Sequence, residues 1–317
     1  MEFEDYHPSF LFGNNHLNTI YPTFFRKIPA LDWIRTRFQT ADNDFFDVDL
    51  AKQQSTKILI LLHGLEGNSQ ASYIQGMAQQ FHDQGWDIAA LNFRGCSGEP
   101  NQTTTTYHSG FTRDLNQSIE WAESHYKTIA IIGFSLGGNI TLKYLGEKKN
   151  SISQKIIAAT AISVPVNLHS SGLCLEKPNT FIYRKRFLKT LKKKVRIKRK
   201  MYPNEIDIEG TLSSKTIREF DDRFTAPIHG FKGADDYYTQ SSSKQYISEI
   251  AIPTLIINAQ DDSFLGLDCY PYEECSANPN CTLLTPQYGG HVGFSQLSKG
   301  PYWSERVALK FIESTIV

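Results

Sequence analysis

The sequence contains no apolar run that could cross a membrane. Its longest, Ile156 to Val166, is interrupted by Thr160 and Ser163 and closes at Pro165. That is well short of the ~18 residues a spanning helix needs. The chain also has no net charge, with 33 Lys/Arg against 33 Asp/Glu. That is not the profile of a dedicated nucleic-acid binder, which is basic over a whole face. Cysteine is sparse. Cys96, Cys174, Cys269, Cys275 and Cys281 make an odd count of five without tight pairing. The last three are spaced by six and match no common zinc pattern. They read as free thiols in a reducing compartment. The acidic start, Met1 to Asp5, is not followed by an apolar stretch, so no secretory signal is expected. The expected location is cytoplasmic. Internal repeats and low-complexity tracts are missing too.

What remains is an ordinary globular mix of 317 residues, 40% hydrophobic and 21% charged. Short buried-strand signals alternate with helical ones. Strands are expected at Lys57–Leu62, Asp87 to Phe93, Thr128 to Ile132, Ile156 to Val164 and Pro253 to Asn258. Each is a continuous apolar run flanked by turn residues, as in strands buried on both faces. Helices are expected at Ser69 to Gln84, Phe111 to His125, Asn139 to Glu147 and Tyr302 to Ser314. The alternation predicts an α/β fold, a mostly parallel central sheet flanked by helices. Residues 167–235 break the rhythm, being basic, then turn-rich, without a buried strand. They read as a helical cap inserted into a single domain spanning 1–317.

Gly133-Phe-Ser135-Leu-Gly137-Gly138 follows a strand and opens a helix. This is the Gly-x-Ser-x-Gly nucleophile elbow. The turn is so sharp that the serine takes a strained conformation, and side chains two residues either side would collide. The pentapeptide alone is a weak signal; the strand before it and the helix after it make it specific. A serine nucleophile needs a base and an orienting acid. In this architecture they follow the serine, acid first. Of nine histidines, only His291 follows the last expected strand in a glycine-bearing loop, Gly289-Gly290-His291. His63 and His108 precede the elbow and are expected to be structural; His229 belongs to the cap edge. The acid lies in Asn258-Ala-Gln-Asp261-Asp262, where the position of the small residue Ala259 favours Asp262 over Asp261. Asp221, Asp222, Asp235 and Asp236 are expected at the surface in salt bridges. The oxyanion hole needs backbone donors. Leu136 follows the nucleophile, and Leu65 lies in the loop His63-Gly64-Leu65-Glu66-Gly67. Glu66 in the same loop would repel anionic substrates if turned to the site, and the sequence does not give its direction.

Several blocks together carry a resemblance. They are Leu62 to Gly67, Asn92-Phe-Arg-Gly-Cys96, the elbow, Phe220-Asp-Asp-Arg-Phe-Thr-Ala-Pro-Ile-His-Gly-Phe231, Asp236-Tyr-Tyr238 and Gly289 to Phe294. The sequence resembles the YheT-like branch of the α/β-hydrolases from about residue 10 to 295. The stretch Asn15 to Ile20 is similar to that family's N-terminal segment. The resemblance implies the α/β-hydrolase fold, carboxylic-ester hydrolysis, and triad roles for Ser135, Asp262 and His291. Ser263 stands where the family more often has proline.

From Arg184 to Lys200 the chain carries 11 Lys/Arg and no Asp/Glu. Phe187, Leu188, Leu191 and Val195 fall on one helical face. The structural expectation is a cap helix with a solvated basic face; the functional one is attraction to an anionic lipid surface. Together these readings predict a serine hydrolase acting on short- to medium-chain acyl esters, small-molecule substrates, with no cofactor, metal or nucleic acid. An acyltransferase or thioesterase would use the same triad. A non-catalytic lipid-binding module would not require it.

Overall fold

A computed structural model describes residues 2–203, 208–297 and 299–316. Its centre is one sheet of β1 (Ile34–Gln39), β2 (Phe45–Ala51), β3 (Lys57–Leu62), β4 (Asp87–Asn92), β5 (Thr128–Phe134), β6 (Ile156–Ile162), β7 (Thr254–Ile257) and β8 (Cys281–Leu284). The spatial order is β1-β2-β4-β3-β5-β6-β7-β8. Strand β2 runs antiparallel to β1 and β4; every pairing from β4 to β8 is parallel.

Strand β3 shows why its sequence is unbroken apolar. Ile58, Ile60 and Leu62 face one core cluster while Leu59 and Leu61 face the other. Both faces are covered, so neither set of side chains can be polar. The helices that matter here are α1 (Asn15–Phe25), α2 (Ser72–His82), α3 (Arg113–His125), α4 (Leu136–Lys148), α5 (Leu168–Glu176) and α6 (Phe181–Met201). Leu115 and Ile119 of α3 and Ile140 of α4 cover one face of the sheet. On the other face lie Ile74, Met77 and Phe81 of α2, with Val307 and Phe311 of the final helix, Trp303–Glu313.

Five expected strands and four expected helices are present, with ends shifted by at most three residues. The hairpin of β1 and β2, strand β8 and helix α1 are additions. Between β6 and β7 no strand occurs among the described residues. Instead α5 and α6 are followed by short helical segments, a π-helical turn at Asp221–Thr225 and the helix Ala234–Ser241. Residues 204–207, within the insertion expected at 167–235, lie outside the described residues. This region builds its own apolar cluster from Leu175, Leu188, Val195, Ile217, Phe220 and Phe224, closed by Phe264 from the loop after β7.

The basic segment departs from expectation in one respect. Leu188 and Val195 are buried, as the spacing requires. Two lysines, however, turn inward with them. Lys198 is 3% exposed and donates to the carbonyls of Asn101 and Thr103. Lys194 Nζ reaches Glu66 Oε1 at 2.7 Å and Cys96 Sγ at 3.1 Å. A lysine's long apolar stem allows this, provided the ammonium finds acceptors. All five cysteines are buried and free.

Candidate active site

Ser135 stands between β5 and α4 at φ 52°, ψ −118°. The packing forces that strain. A Cβ added to Gly133 would lie 2.4 Å from the Gly137 carbonyl oxygen, and one added to Gly137 would lie 2.5 Å from that of Leu62. Both are backbone contacts, which cannot yield as a flexible side chain would.

The structure brings Ser135, His291 and Asp262 together. Ser135 Oγ is 2.9 Å from His291 Nε2. His291 Nδ1 is 2.8 Å from Asp262 Oδ2. A carboxylate only accepts, so Nδ1 carries the proton. In the neutral ring Nε2 is then an acceptor, and the Ser135 hydroxyl donates to it. Asp262 is buried, and its other oxygen accepts from the Phe264 N–H at 2.9 Å. Phe264 also stacks on the imidazole, ring centroids 4.1 Å apart. Asp261 points elsewhere. Its Oδ1 accepts from the Gly290 N–H at 2.8 Å. Burial and the neighbouring Asp262 charge push its carboxyl up to about 6.

The loop bearing His291 is strained and heavily braced. Gly290, Val292 and Phe294 all have φ between 45° and 59°, a region unfavourable to a β-branched residue. The His291 N–H donates to Thr19 Oγ1 at 2.9 Å, the Val292 N–H to Ser163 Oγ at 2.9 Å, and the Ser295 N–H to Asn18 Oδ1 at 2.7 Å. Asn15 Nδ2 donates to the Asp261 carbonyl at 2.7 Å. Gly290 is obligatory here, since a Cβ would lie 2.6 Å from the Asn15 carbonyl oxygen. Asn15, Asn18 and Thr19 belong to α1, and sequence reasoning assigned them no role. The one available signal was the resemblance of Asn15 to Ile20 to the family's N-terminal segment.

The remaining expected residues fall as follows. Leu136 opens α4, so its N–H is among the four a helix leaves unpaired. The Leu65 N–H makes no hydrogen bond among the described residues. Its neighbour Gly64 lies so close that an added Cβ would be 3.2 Å from Ser135 Cβ. Glu66 is not a free anion. Its Oε1 accepts from Lys194 and, at 2.7 Å, from the Tyr107 hydroxyl. His63 is fully buried. Its Nε2 accepts from the Phe93 N–H at 3.2 Å, so Nδ1 donates to the Gly64 carbonyl at 2.7 Å. Burial pushes this ring down to about 3, and it shapes the turn as a neutral group. His108 packs against Phe111, His229, Phe231 and Tyr237. Arg94, of the Arg-Gly-Cys block, is buried against Asp114 at 2.8 Å and is structural.

Of the four carboxylates expected in surface salt bridges, Asp235 pairs with Arg218 at 2.6 Å as expected. Asp222 and Asp236 instead accept backbone N–H groups, from Ala234 and Lys232. Asp221 contradicts the expectation. It is buried and bonded to Tyr238 and Thr225, because the π-helical turn directs it inward.

A cavity of about 1120 Å³ runs beside Ser135 and His291, between the sheet's loops and the helices following β6. Its wall is largely apolar, including Leu136, Leu168, Leu175, Phe187 and Phe224. Phe24 of α1 and Ile182 of α6 also line it, 70% and 73% exposed.

Residues 57–296 match the family described as alpha/beta hydrolase fold. The chain is 36% identical over 291 residues to "Putative esterase YheT" of Escherichia coli (strain K12), covering 89% of this chain and 85% of that one. It is 32% identical over 327 residues to "Phospholipase ABHD3" of Homo sapiens, covering 99% of this chain and 80% of that one. Among solved structures, the Pyrococcus furiosus esterase Pf2001 superposes with a TM-score of 0.62 at 19% identity, covering 99% and 98% of the two chains.

Proposed function

The chain belongs to the alpha/beta hydrolase fold family, in its YheT-like branch, and from that premise we propose that it is a serine hydrolase of carboxylic esters with short to medium acyl chains. The observation that carries this is the hydrogen-bonded series Asp262–His291–Ser135 at a strained elbow on the cavity wall. His291 Nε2 takes the Ser135 proton as Oγ attacks the acyl carbonyl. The Leu65 and Leu136 N–H groups hold the oxyanion that develops, as preorganised donors do. Asp262 keeps Nδ1 protonated and stabilises the imidazolium. His291 then returns the proton to the departing alcohol, and water activated by the same ring releases the acyl group. The largely apolar wall suits an acyl chain.

Residues 167–235 act in this reading as the cap that closes the cavity. The basic face of α6 attracts an anionic lipid surface, with exposed Ile182 and Phe24 at the cavity wall beside it. The relative named a phospholipase supports a lipid ester within the same class. Sedimentation with phosphatidylglycerol vesicles tests the surface. Association at low salt that is lost at high salt is expected; none at low salt refutes it. Hydrolysis of a chromogenic ester series from acetate to palmitate, with Ser135→Ala beside the wild type, tests the reaction. A Ser135-dependent rate with an optimum in chain length supports it. No such rate on any ester refutes it.

A further inference from the structure

We infer that Asp221 forms a polar subsite for the alcohol portion of the substrate, accepting hydrogen bonds from a hydroxyl-bearing (polyol) ester. The inference rests on the ester-hydrolase reading above and specifies which esters it favours.

Of the block Phe220-Asp-Asp-Arg, only Asp221 among the charged residues is turned to the cavity. Asp222 accepts from the Ala234 N–H, and Arg223 donates to the Gly210 carbonyl and Ser213 Oγ. A π-helical turn, Asp221–Thr225, produces this split; such turns are frequent at functional sites. Asp221 Oδ1 accepts from Thr225 Oγ1 at 2.7 Å, and Oδ2 from the Tyr238 hydroxyl at 2.8 Å. Each carboxylate oxygen can accept two hydrogen bonds, so half of the acceptor capacity remains. No cation compensates the group among the described residues, and burial pushes it up to about 6. Two hydroxyl donors and no cation leave this buried carboxylate able to accept further hydrogen bonds, and a hydroxyl brought by a ligand can fill that capacity. Phe220, Phe224 and Tyr237 line the same cavity as Asp221 and Ser135. A small hydroxylated group placed there is both desolvated and hydrogen-bonded.

The test compares two esters of one acid, glyceryl 1-octanoate and propyl octanoate, on the purified full chain. They share the acyl chain and the three-carbon alcohol and differ only in two hydroxyls. The wild type is expected to prefer the glyceryl ester by roughly 10-fold or more in kcat/KM, since only that ester gains a charge-assisted hydrogen bond to the buried carboxylate. Asp221→Asn is expected to reduce that preference by roughly 10-fold. Where Asp221→Asn does not fold, Asp221→Ser carries the same comparison. A merely structural role would lower both rates together and leave the preference intact, which overturns the inference. A wild-type preference near unity overturns it without any variant. Absence of a Ser135-dependent rate on both esters is a different result. It removes the parent reading and this inference with it.

Discussion

Thr19 Oγ1 holds the backbone N–H of His291 at 2.9 Å, joining residues 272 positions apart. The candidate base is thus fixed by a helix that precedes every strand of the sheet. Thr19 Oγ1 itself donates to the Asn15 carbonyl at 2.7 Å, so the acceptor is oriented before it meets the loop. Thr19→Val keeps the shape and removes the acceptor. A lost backbone bond of about 1 kcal/mol would be spread between stability and the placement of the ring. The expected result is a several-fold fall in kcat with KM little changed, measured by steady-state kinetics on one ester.

Ser135→Ala and His291→Ala should each lower turnover by roughly 10⁴–10⁶, and the double variant by no more than either alone, because triad members act as a unit. Steady-state turnover of the three variants on one ester checks this. Multiplicative losses would show that the two residues act separately.

The two adjacent carboxylates should separate cleanly. Asp262→Asn puts an amide donor opposite Nδ1 and favours the other tautomer, for a loss of roughly 10⁴ in kcat. Asp261→Asn keeps the acceptor for Gly290 and touches neither ring nitrogen. Its loss should stay within about tenfold. Equal losses would contradict the geometry.

Asp261 also predicts a pH effect on stability. Its folded carboxyl lies at about 6, above the ordinary ~4 of an unfolded aspartate. Between those values the folded chain binds the extra proton, so this group's contribution falls as pH rises. Asp261→Asn should therefore stabilise the fold at pH 7.5 by about 1–2 kcal/mol, allowing for solvent screening. The gain should vanish below about pH 4. Urea midpoints of the two proteins at pH 7.5 and pH 3.5 measure it.

The central sheet was legible in the sequence because β3 to β7 are buried on both faces and so almost purely apolar. The hairpin was not, for a physical reason. Strands β1 and β2 carry Arg35, Arg37, Asp47 and Asp49, which read as surface charge. In the fold they pair across the strands, Arg35 with Asp49 at 2.8 Å and Arg37 with Asp47 at 2.9 Å, and both aspartates are buried. Strand β8 is only four residues long and gives little pattern to read. Helix α1 carries Pro22 in its interior, normally a helix breaker. At the site, Ser135 and His291 were legible because strain demands glycine around them. Thr19, Asn18 and Tyr238 were not, since a hydroxyl or amide that braces a distant loop leaves no local periodicity. Lys194 and Lys198 were hidden for the opposite reason, being two of eleven basic residues in one helix, distinguished only by the acceptors they meet.

The link from Lys194 to Glu66 has a consequence for how this protein can diversify. Glu66 adjoins Leu65, the proposed oxyanion donor, and sits at φ 56° with its carboxylate held by Lys194 and Tyr107. Lys194 belongs to the segment between β6 and β7 that lines the cavity, while Leu65 belongs to the loop after β3. Substrate range and reaction rate are therefore not independently heritable traits here. A new cap grafted between β6 and β7 could reshape the cavity freely, but it would have to bring its own cation to this spot. Otherwise it would leave a buried carboxylate uncompensated one residue from the proposed oxyanion donor.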